Sequence, residues 1–369
     1  MSIDYIPYVD LAAQWSEERD ELLPLIEKTL ASGQYVGGQD VEELEAEMSE
    51  YFNVKDVVGV NSGTDALILS LKALEIQSGD EVITPPNSFV ASTAVIENVG
   101  AKPVFVDVGN DQNINPELIE ASITANTKAI MPVHLTGRMC EMDRVCEIAR
   151  KYNLYVIEDS AQAAGSRYMD RQSGTWGDVG CFSAHPLKNL NACGDAGYVT
   201  TNNEEIATKI RMLRNHGLAG RERVEQFGFV SRMDSIQATI LRFRLGRLPS
   251  IIERRRRNAH LYKSLLNSDQ IYHAPEQSAE YHTFFTFVIQ AVSRDQLKRY
   301  LADRNIGSTI HYPTPIHFQP ASRSFGYSVN SCPVAEAQAN TILTLPIHQN
   351  LSKEQIIRVA TTVNEFFDC

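Results

Sequence analysis

Short apolar runs alternate with amphipathic stretches through the first half of the chain. Residues 81–84, 101–106, 128–135 and 154–158 are aliphatic runs of strand length, and helical spacing fills the gaps between them. Such alternation predicts an α/β fold with a mainly parallel sheet covered on both faces by helices. Residues 57–74, VVGVNSGTDALILSLKAL, read as strand, glycine turn and helix, with Leu67, Leu71 and Leu74 on one helical face. Before them, Leu22, Leu23, Leu25, Ile26 and Leu30 fall near helical spacing, ahead of breaks at Gly33, Gly37 and Gly38. This N-terminal arm either wraps a second copy or covers its own core. From about Pro249 the pattern becomes α+β: a helix to Leu266, a strand over 284–291, a helix over 294–305 and a terminal helix opened by a Ser352/Gln355 capping box. The expected division is a large domain with the arm over 1–248 and a smaller one over 249–369.

With 369 residues, 43% of them hydrophobic, the chain has material for two such cores. A net charge of −12 argues against general nucleic-acid binding, which needs clustered cations. The one cluster, Arg254, Arg255, Arg256 and Arg257, fans around a helix axis; it reads as a solvated or interface helix, or as an anion contact for a substrate diphosphate. The N-terminus lacks the order of a signal peptide and no apolar run is long enough to cross a bilayer, so a cytoplasmic location is expected. The six cysteines, Cys140, Cys146, Cys181, Cys193, Cys332 and Cys369, have no zinc-type spacing and read as reduced thiols.

Candidate chemistry gathers on residues 180–201, GCFSAHPLKNLNACGDAGYVTT. An apolar strand breaks at His185-Pro186, and Gly194 and Gly197 admit a second strand. Lys188 therefore sits on the elbow between two strands. It is either a solvated loop lysine or an amine held rigidly in a cleft, as a Schiff-base nucleophile for a carbonyl cofactor must be. The backbone amides of Gly63, Thr64 and Asp65 open a helix and form an anion cradle, unless Ser62 or Thr64 merely caps that helix. Asp159 ends an apolar strand, where a carboxylate is costly unless it meets a cation; capping a following helix is the other use of an Asp-Ser pair.

The segment FSAHPLKNLNACGDAG resembles the cofactor-lysine segment of the DegT/DnrJ/EryC1/StrS family of pyridoxal-phosphate-dependent sugar aminotransferases. VNSGTDAL, EDSAQA, LRNHG, SRMDSIQA and IHYPTPIHFQP follow the family's order from about Val9 to the C-terminus. Relatives with histidine in place of the lysine are dehydratases, and Lys188 argues against that branch. The resemblance implies a fold-type I enzyme, a homodimer, that moves an amino group from L-glutamate to a nucleotide-linked keto sugar in amino-sugar or surface-polysaccharide synthesis. The HYPTPIH wording is more similar to enzymes acting on 3-keto than on 4-keto sugars. A regulatory relative of the same fold is the alternative from a different class.

Carried onto this chain, the resemblance makes Lys188 the cofactor-bonding and proton-carrying residue and Asp159 the partner of the pyridinium nitrogen. Gly63, Thr64, Asp65 and Ser183 would meet the phosphate, and Gln162 the ring hydroxyl. Phe89 would stack on the ring, a core role being its alternative. His185 and Asn189 orient the lysine or the sugar, or simply pack. His311, Tyr312 and His317, among prolines that stiffen the chain, would wall the sugar pocket; with no carboxylate partner, metal binding is not expected there. One departure stands out. Val230 lies where the family carries an asparagine that reaches the partner subunit's cofactor phosphate, and Ser231 or Arg232 would have to replace it.

Overall fold

In the computed structural model, which describes residues 4–368, the apolar runs of the first half pair into one sheet. Its strands are β1 (Asp56–Val60), β2 (Glu81–Thr84), β3 (Lys102–Phe105), β4 (Thr127–Ile130), β5 (Tyr155–Asp159), β8 (Val179–Ser183) and β9 (Gly197–Thr201). Two short strands, β6 (Arg167–Tyr168) and β7 (Arg171–Gln172), form a separate hairpin between β5 and β8. The sheet order is β1-β9-β8-β5-β4-β2-β3. From β3 across to β8 every pairing is parallel; β9 runs antiparallel to both neighbours.

Helices cover both faces: α1 (Leu11–Ser32), α2 (Gln39–Phe52), α3 (Gly63–Ala73), α4 (Ala91–Asn98), α5 (Met142–Tyr152), α6 (Glu204–Leu213), α7 (Ser235–Leu245) and α8 (Leu248–Leu265). Leu67, Leu71 and Leu74 bury against Val58, Val199 and Ile206. The arm departs from its apolar spacing. Of Leu22, Leu23, Leu25, Ile26 and Leu30, only Leu22 is buried. The buried face is instead polar and paired: Gln14 donates to Asn191 at 3.0 Å, Glu18 binds Arg244 at 2.7 Å, and Thr29 meets Thr239 at 2.7 Å. Paired polar groups can be buried without the cost of unmet ones.

Two apolar runs end early as strands. Strand β4 itself ends at Ile130, but the run keeps bonding its neighbours, Met131 N–H to Ile83 O at 2.7 Å and Val133 bridging Asp159, until Leu135–Gly137 makes a 3₁₀ turn. The run from Phe284 begins as a strand only at Phe287, because Phe284 adopts φ 48°. In both places the apolar run is longer than the regular strand within it.

The C-terminal part holds β10 (Ile271–Tyr272), β11 (Glu280–Tyr281), β12 (Phe287–Ala291), α9 (Arg294–Ala302), α10 (Pro333–Thr341), β13 (Ile342–Leu345) and α11 (Lys353–Asp368). Antiparallel β10-β12-β13 shares a core with Tyr262, Leu297 and Ile356, and Ile6 joins it. Helix α8 starts in the core of the large sheet, at Leu248 and Ile252, and ends in this second core, at Ala259 and Tyr262. Strand β11 pairs back with β6. Ser352 and Gln355 exchange side-chain to backbone bonds of 2.9 and 3.2 Å at the head of α11, a complete capping box.

Among the described residues no helix is long and apolar enough to cross a membrane. No group of His, Cys, Asp or Glu among them could hold a metal ion. The five described cysteines are free, and Cys369 lies outside the described residues.

Candidate active site

Ligands of open α/β sheets collect where strand ends and the loops after them converge. Here the segments after β1, β2, β5 and β8 meet residues 311–312 and Phe285 around a cavity of about 350 Å³. Of the eight residues expected to hold the cofactor, all but Asp65 line it. His185, His311 and Tyr312 line it as well.

One end of the cavity is built by α3. Ser62 caps the helix, accepting the Asp65 N–H at 3.0 Å. The cap and the cradle thus coexist: Asp65 belongs to the cap, while Gly63 and Thr64 face the cavity with first-turn N–H groups that have no intrahelical acceptor. Gly63 is required by contact, since a Cβ there would stand 2.6 Å from the Cβ of Ser183. That close approach sets the Ser183 side chain beside the helix end, where an anion is favoured.

At the other end lies Asp159, which is buried. Its Oδ2 accepts Ser92 Oγ at 2.7 Å and its Oδ1 accepts the Ala161 N–H at 3.2 Å. Burial raises its carboxyl above the ordinary value of 3.8; Ser92, Ala161, Lys188 and His134 work the other way. No helix follows it, so it caps none. The alternation of β5 sends the adjacent Glu158 to the opposite face, where His134 and the N–H groups of Gly174, Trp176 and Gly177 hold it.

Lys188 is half-buried, and loss of water around its amine lowers its pKa to about 8, opposed by the Asp159 charge. Phe89 is 54% exposed despite its size, an aromatic face turned to the cavity and not to a core. Gln162 is held from behind, its Oε1 accepting the Thr136 N–H at 2.7 Å, and its side chain hydrogen-bonds Tyr312. Burial, with a smaller contribution from Lys188, takes His311 down to about 4 and leaves it neutral; burial pushes Tyr312 up to about 12.

Two expected substrate residues are elsewhere. Asn189 is buried behind the cavity, its amide 3.5 Å from Thr283 O. His317 is buried against Phe105 and Phe318, with Nε2 3.1 Å from Glu336, so its polar edge is already committed to a carboxylate that lies far along the sequence. Val230 is 61% exposed and outside the cavity of its own chain. Ser231 is buried and accepts the Asn61 N–H at 3.3 Å, whereas Arg232 is exposed. The arginine cluster is divided: Arg254 and Arg256 pair with Glu17 and Glu276, and Arg255 is buried.

Sequence reasoning passed over Ser92, Thr136 and Phe285. Ser92 had a signal, a serine four residues after Ser88, and the two hydroxyls meet at 2.5 Å. Thr136 and Phe285 had none, because each acts through a loop whose path is set by distant partners.

The donors fit pyridoxal phosphate. A helix end and two small polar side chains suit its phosphate, an exposed aromatic suits its ring, a buried carboxylate suits a protonated ring nitrogen, and a weakly basic amine suits its carbonyl.

Comparison with known proteins agrees. The profile of the DegT/DnrJ/EryC1/StrS aminotransferase family matches residues 16–364. The chain is 43% identical over 362 residues to the UDP-N-acetyl-3-dehydro-alpha-D-glucosamine 3-aminotransferase of Acidithiobacillus ferrooxidans, with 97% of each chain covered. It is 37% identical over 366 residues to the pleiotropic regulatory protein of Geobacillus stearothermophilus, with 98% of each covered. The crystal structure of S. venezuelae DesV in complex with a ketimine intermediate matches with a TM-score of 0.97 at 38% identity over 99% of each chain.

Proposed function

The chain belongs to the DegT/DnrJ/EryC1/StrS aminotransferase family and is a pyridoxal-phosphate-dependent aminotransferase, and from that premise we propose that it aminates the 3-keto group of a nucleotide-linked sugar with L-glutamate as donor. The observation that carries the reading is the Lys188 amine and the Asp159 carboxylate facing one cavity. Bound there, pyridoxal phosphate supplies a carbonyl that takes up the donor's amino group and a ring that draws electrons from the carbon losing its proton.

The chain's own residues do the rest. The first-turn N–H groups of α3 and the Ser183 hydroxyl hold the phosphate. Asp159 keeps the proton on the ring nitrogen, and Ser92 keeps Asp159 ionised and aimed. Lys188 Nζ bonds the cofactor at rest and, when released, carries the proton taken from the substrate carbon. A pKa of about 8 lets this amine both take and return a proton near neutral pH. Neutral His311 and Tyr312 offer uncharged donors and acceptors to sugar hydroxyls, and His185 faces the same space.

The 3-keto assignment is supported by the Acidithiobacillus relative, whose name specifies amination at that carbon. A homodimer is supported by the exposed apolar positions Leu23, Phe227 and Val230, surface that a second copy would cover. The Geobacillus relative raises a second reading, a regulator. It is disfavoured by a complete lysine and carboxylate pair that a regulator does not need.

The test is optical. Protein carrying the cofactor is first converted by L-glutamate to the aminated form, then mixed separately with 3-keto and 4-keto nucleotide sugars. Return of the lysine-bound cofactor band with the 3-keto sugar alone is expected. Return with the 4-keto sugar alone overturns the position assigned here, and a protein that never shows the band is a regulator.

A further inference from the structure

Lys188 pairs with no carboxylate at ion-pair distance among the described residues, and Asp159 acts on it through space. The side chain nearest in kind to a partner is an aromatic one. Nζ stands 4.6 Å from the centroid of the Phe285 ring, over its face. Phe285 is not brought there by regular structure. The chain arrives through Phe284 at φ 48°, a conformation that bulky residues rarely adopt. Contacts on two sides impose it. On one side Thr283 and Thr286 donate their N–H groups to Gly137 O and Thr136 O at 3.3 and 3.2 Å. The approach is so close that a Cβ on Gly137 would lie 2.9 Å from Phe285 N. On the other side is Arg255.

Arg255 is an unusual residue to bury. It is 7% exposed, no carboxylate pairs with it among the described residues, and its Nε is buried without a partner. Burial lowers its pKa to about 10. An unpaired buried charge costs several kcal/mol in general, so its remaining contacts matter. They are the carbonyl oxygens of Phe284 and Phe285, which accept from Nη1 at 3.4 and 3.2 Å. The guanidinium therefore grips the backbone of the residue whose ring covers the lysine.

We propose that the face of Phe285 is the seat of the Lys188 ammonium whenever the amine is not bonded to the cofactor, and that Arg255 is the positioning residue that sets this face over it. The proposal rests on the reading of Lys188 as the cofactor lysine. In the aminated form of the enzyme the lysine is free, and each proton it takes from the substrate carbon makes it an ammonium where burial disfavours the charge. The titratable groups that share the cavity with it are Asp159, Asp195, His185, neutral His311 and neutral Tyr312, with the Phe285 ring against its amine; Asp195 forms no ion pair with it among the described residues. Asp159 is committed to the ring nitrogen, so the aromatic quadrupole is the attraction left for the cation. It is weak enough to release the amine for the next proton transfer.

The test reads the amine and not turnover. Holoenzyme in the aminated cofactor form is labelled with trace acetic anhydride across the neutral range, and acetylation of Lys188 is followed by mass spectrometry. Phe285→Leu keeps the apolar volume and removes the quadrupole. It should raise labelling on the acid side of the profile about two- to five-fold, the factor that a cation–π contact of this class is worth. Phe285→Tyr, which keeps the face, should restore the wild-type profile. Arg255→Met should raise labelling in the same sense, and combining it with Phe285→Leu should add nothing further. Unchanged labelling in Phe285→Leu overturns the seat. Slower labelling in Arg255→Met, the result of merely removing a nearby positive charge, overturns the positioning role, as does a multiplicative double variant. The cofactor reading is checked separately by borohydride reduction. If the cofactor fails to attach to Lys188, that reading falls, and labelling of the cofactor-free protein still decides whether Phe285 holds the ammonium.

Discussion

At the level of single residues, the cavity joins a base without an ion-pair partner among the described residues and an acid whose charge burial disfavours. Lys188→Ala should abolish turnover while thermal unfolding stays that of the parent; appreciable turnover in that variant would remove the mechanism. Asp159 has a pH signature of its own. Because burial raises its pKa, the folded chain binds this proton more tightly than the unfolded chain, so its contribution to stability is full below 3.8 and is lost as pH rises through the raised value. Asp159→Asn should therefore raise the melting temperature of the cofactor-free protein at pH 7 by a few degrees, as about 1 kcal/mol would. The gain should shrink as pH falls toward 3.8. The same variant should still bind cofactor yet react slowly, and scanning calorimetry with single-turnover absorbance checks both. Lys188, Asp159 and Gly63 were legible in the chain because each sits where a strand gives way to a turn. Thr136 and Phe285 were not, since a threonine or a phenylalanine acquires a role only from what folds against it, and Ser92 showed only its spacing from Ser88. The placement of His317 away from the cavity was hidden for the same reason: its partner Glu336 is supplied by α10.

Among the elements, the contact between the head of α3 and the end of β8 decides the phosphate end of the site. Gly63→Ala forces a Cβ to 2.6 Å from Ser183 and should destabilise by about 1–3 kcal/mol, the usual range for overpacking. Urea unfolding measures that loss, and cofactor titration should show weaker binding as Ser183 moves; an unperturbed titration would mean the cradle is not where the phosphate binds. Strand positions were readable because the middles of β2, β5 and β8 are buried on both faces and are apolar, Val82 and Ile83, Val156 and Ile157, and Val179 to Phe182. The same logic overextended the start of β12, where Phe284 takes a positive φ and the regular strand begins only at Phe287. Helix α1 reversed the expectation more thoroughly. It turns Gln14, Glu18 and Thr29 inward because Asn191, Arg244 and Thr239 are there to meet them, and no periodicity analysis sees partners that far along the chain.

For the whole molecule, Leu23, Phe227 and Val230 are exposed apolar surface that a second copy would cover. If a second copy presents its Val230 region to the cofactor phosphate, Val230→Asn should tighten cofactor binding about ten- to a hundred-fold, as one hydrogen bond to a charged group of about 1.5–3 kcal/mol would. An unchanged dissociation constant in a dimeric protein would show that the position does not face the phosphate. By itself the sequence determined the class of fold, the strand order of the chemistry along the chain, and the lysine and aspartate, because binary pattern and turn chemistry are local properties. Only the tertiary structure decided which side chains share the cavity, how far burial moves their protons, and which helix face is inside. Those depend on contacts between residues far apart in sequence, and a charge or a ring has no function until such a contact gives it a neighbour.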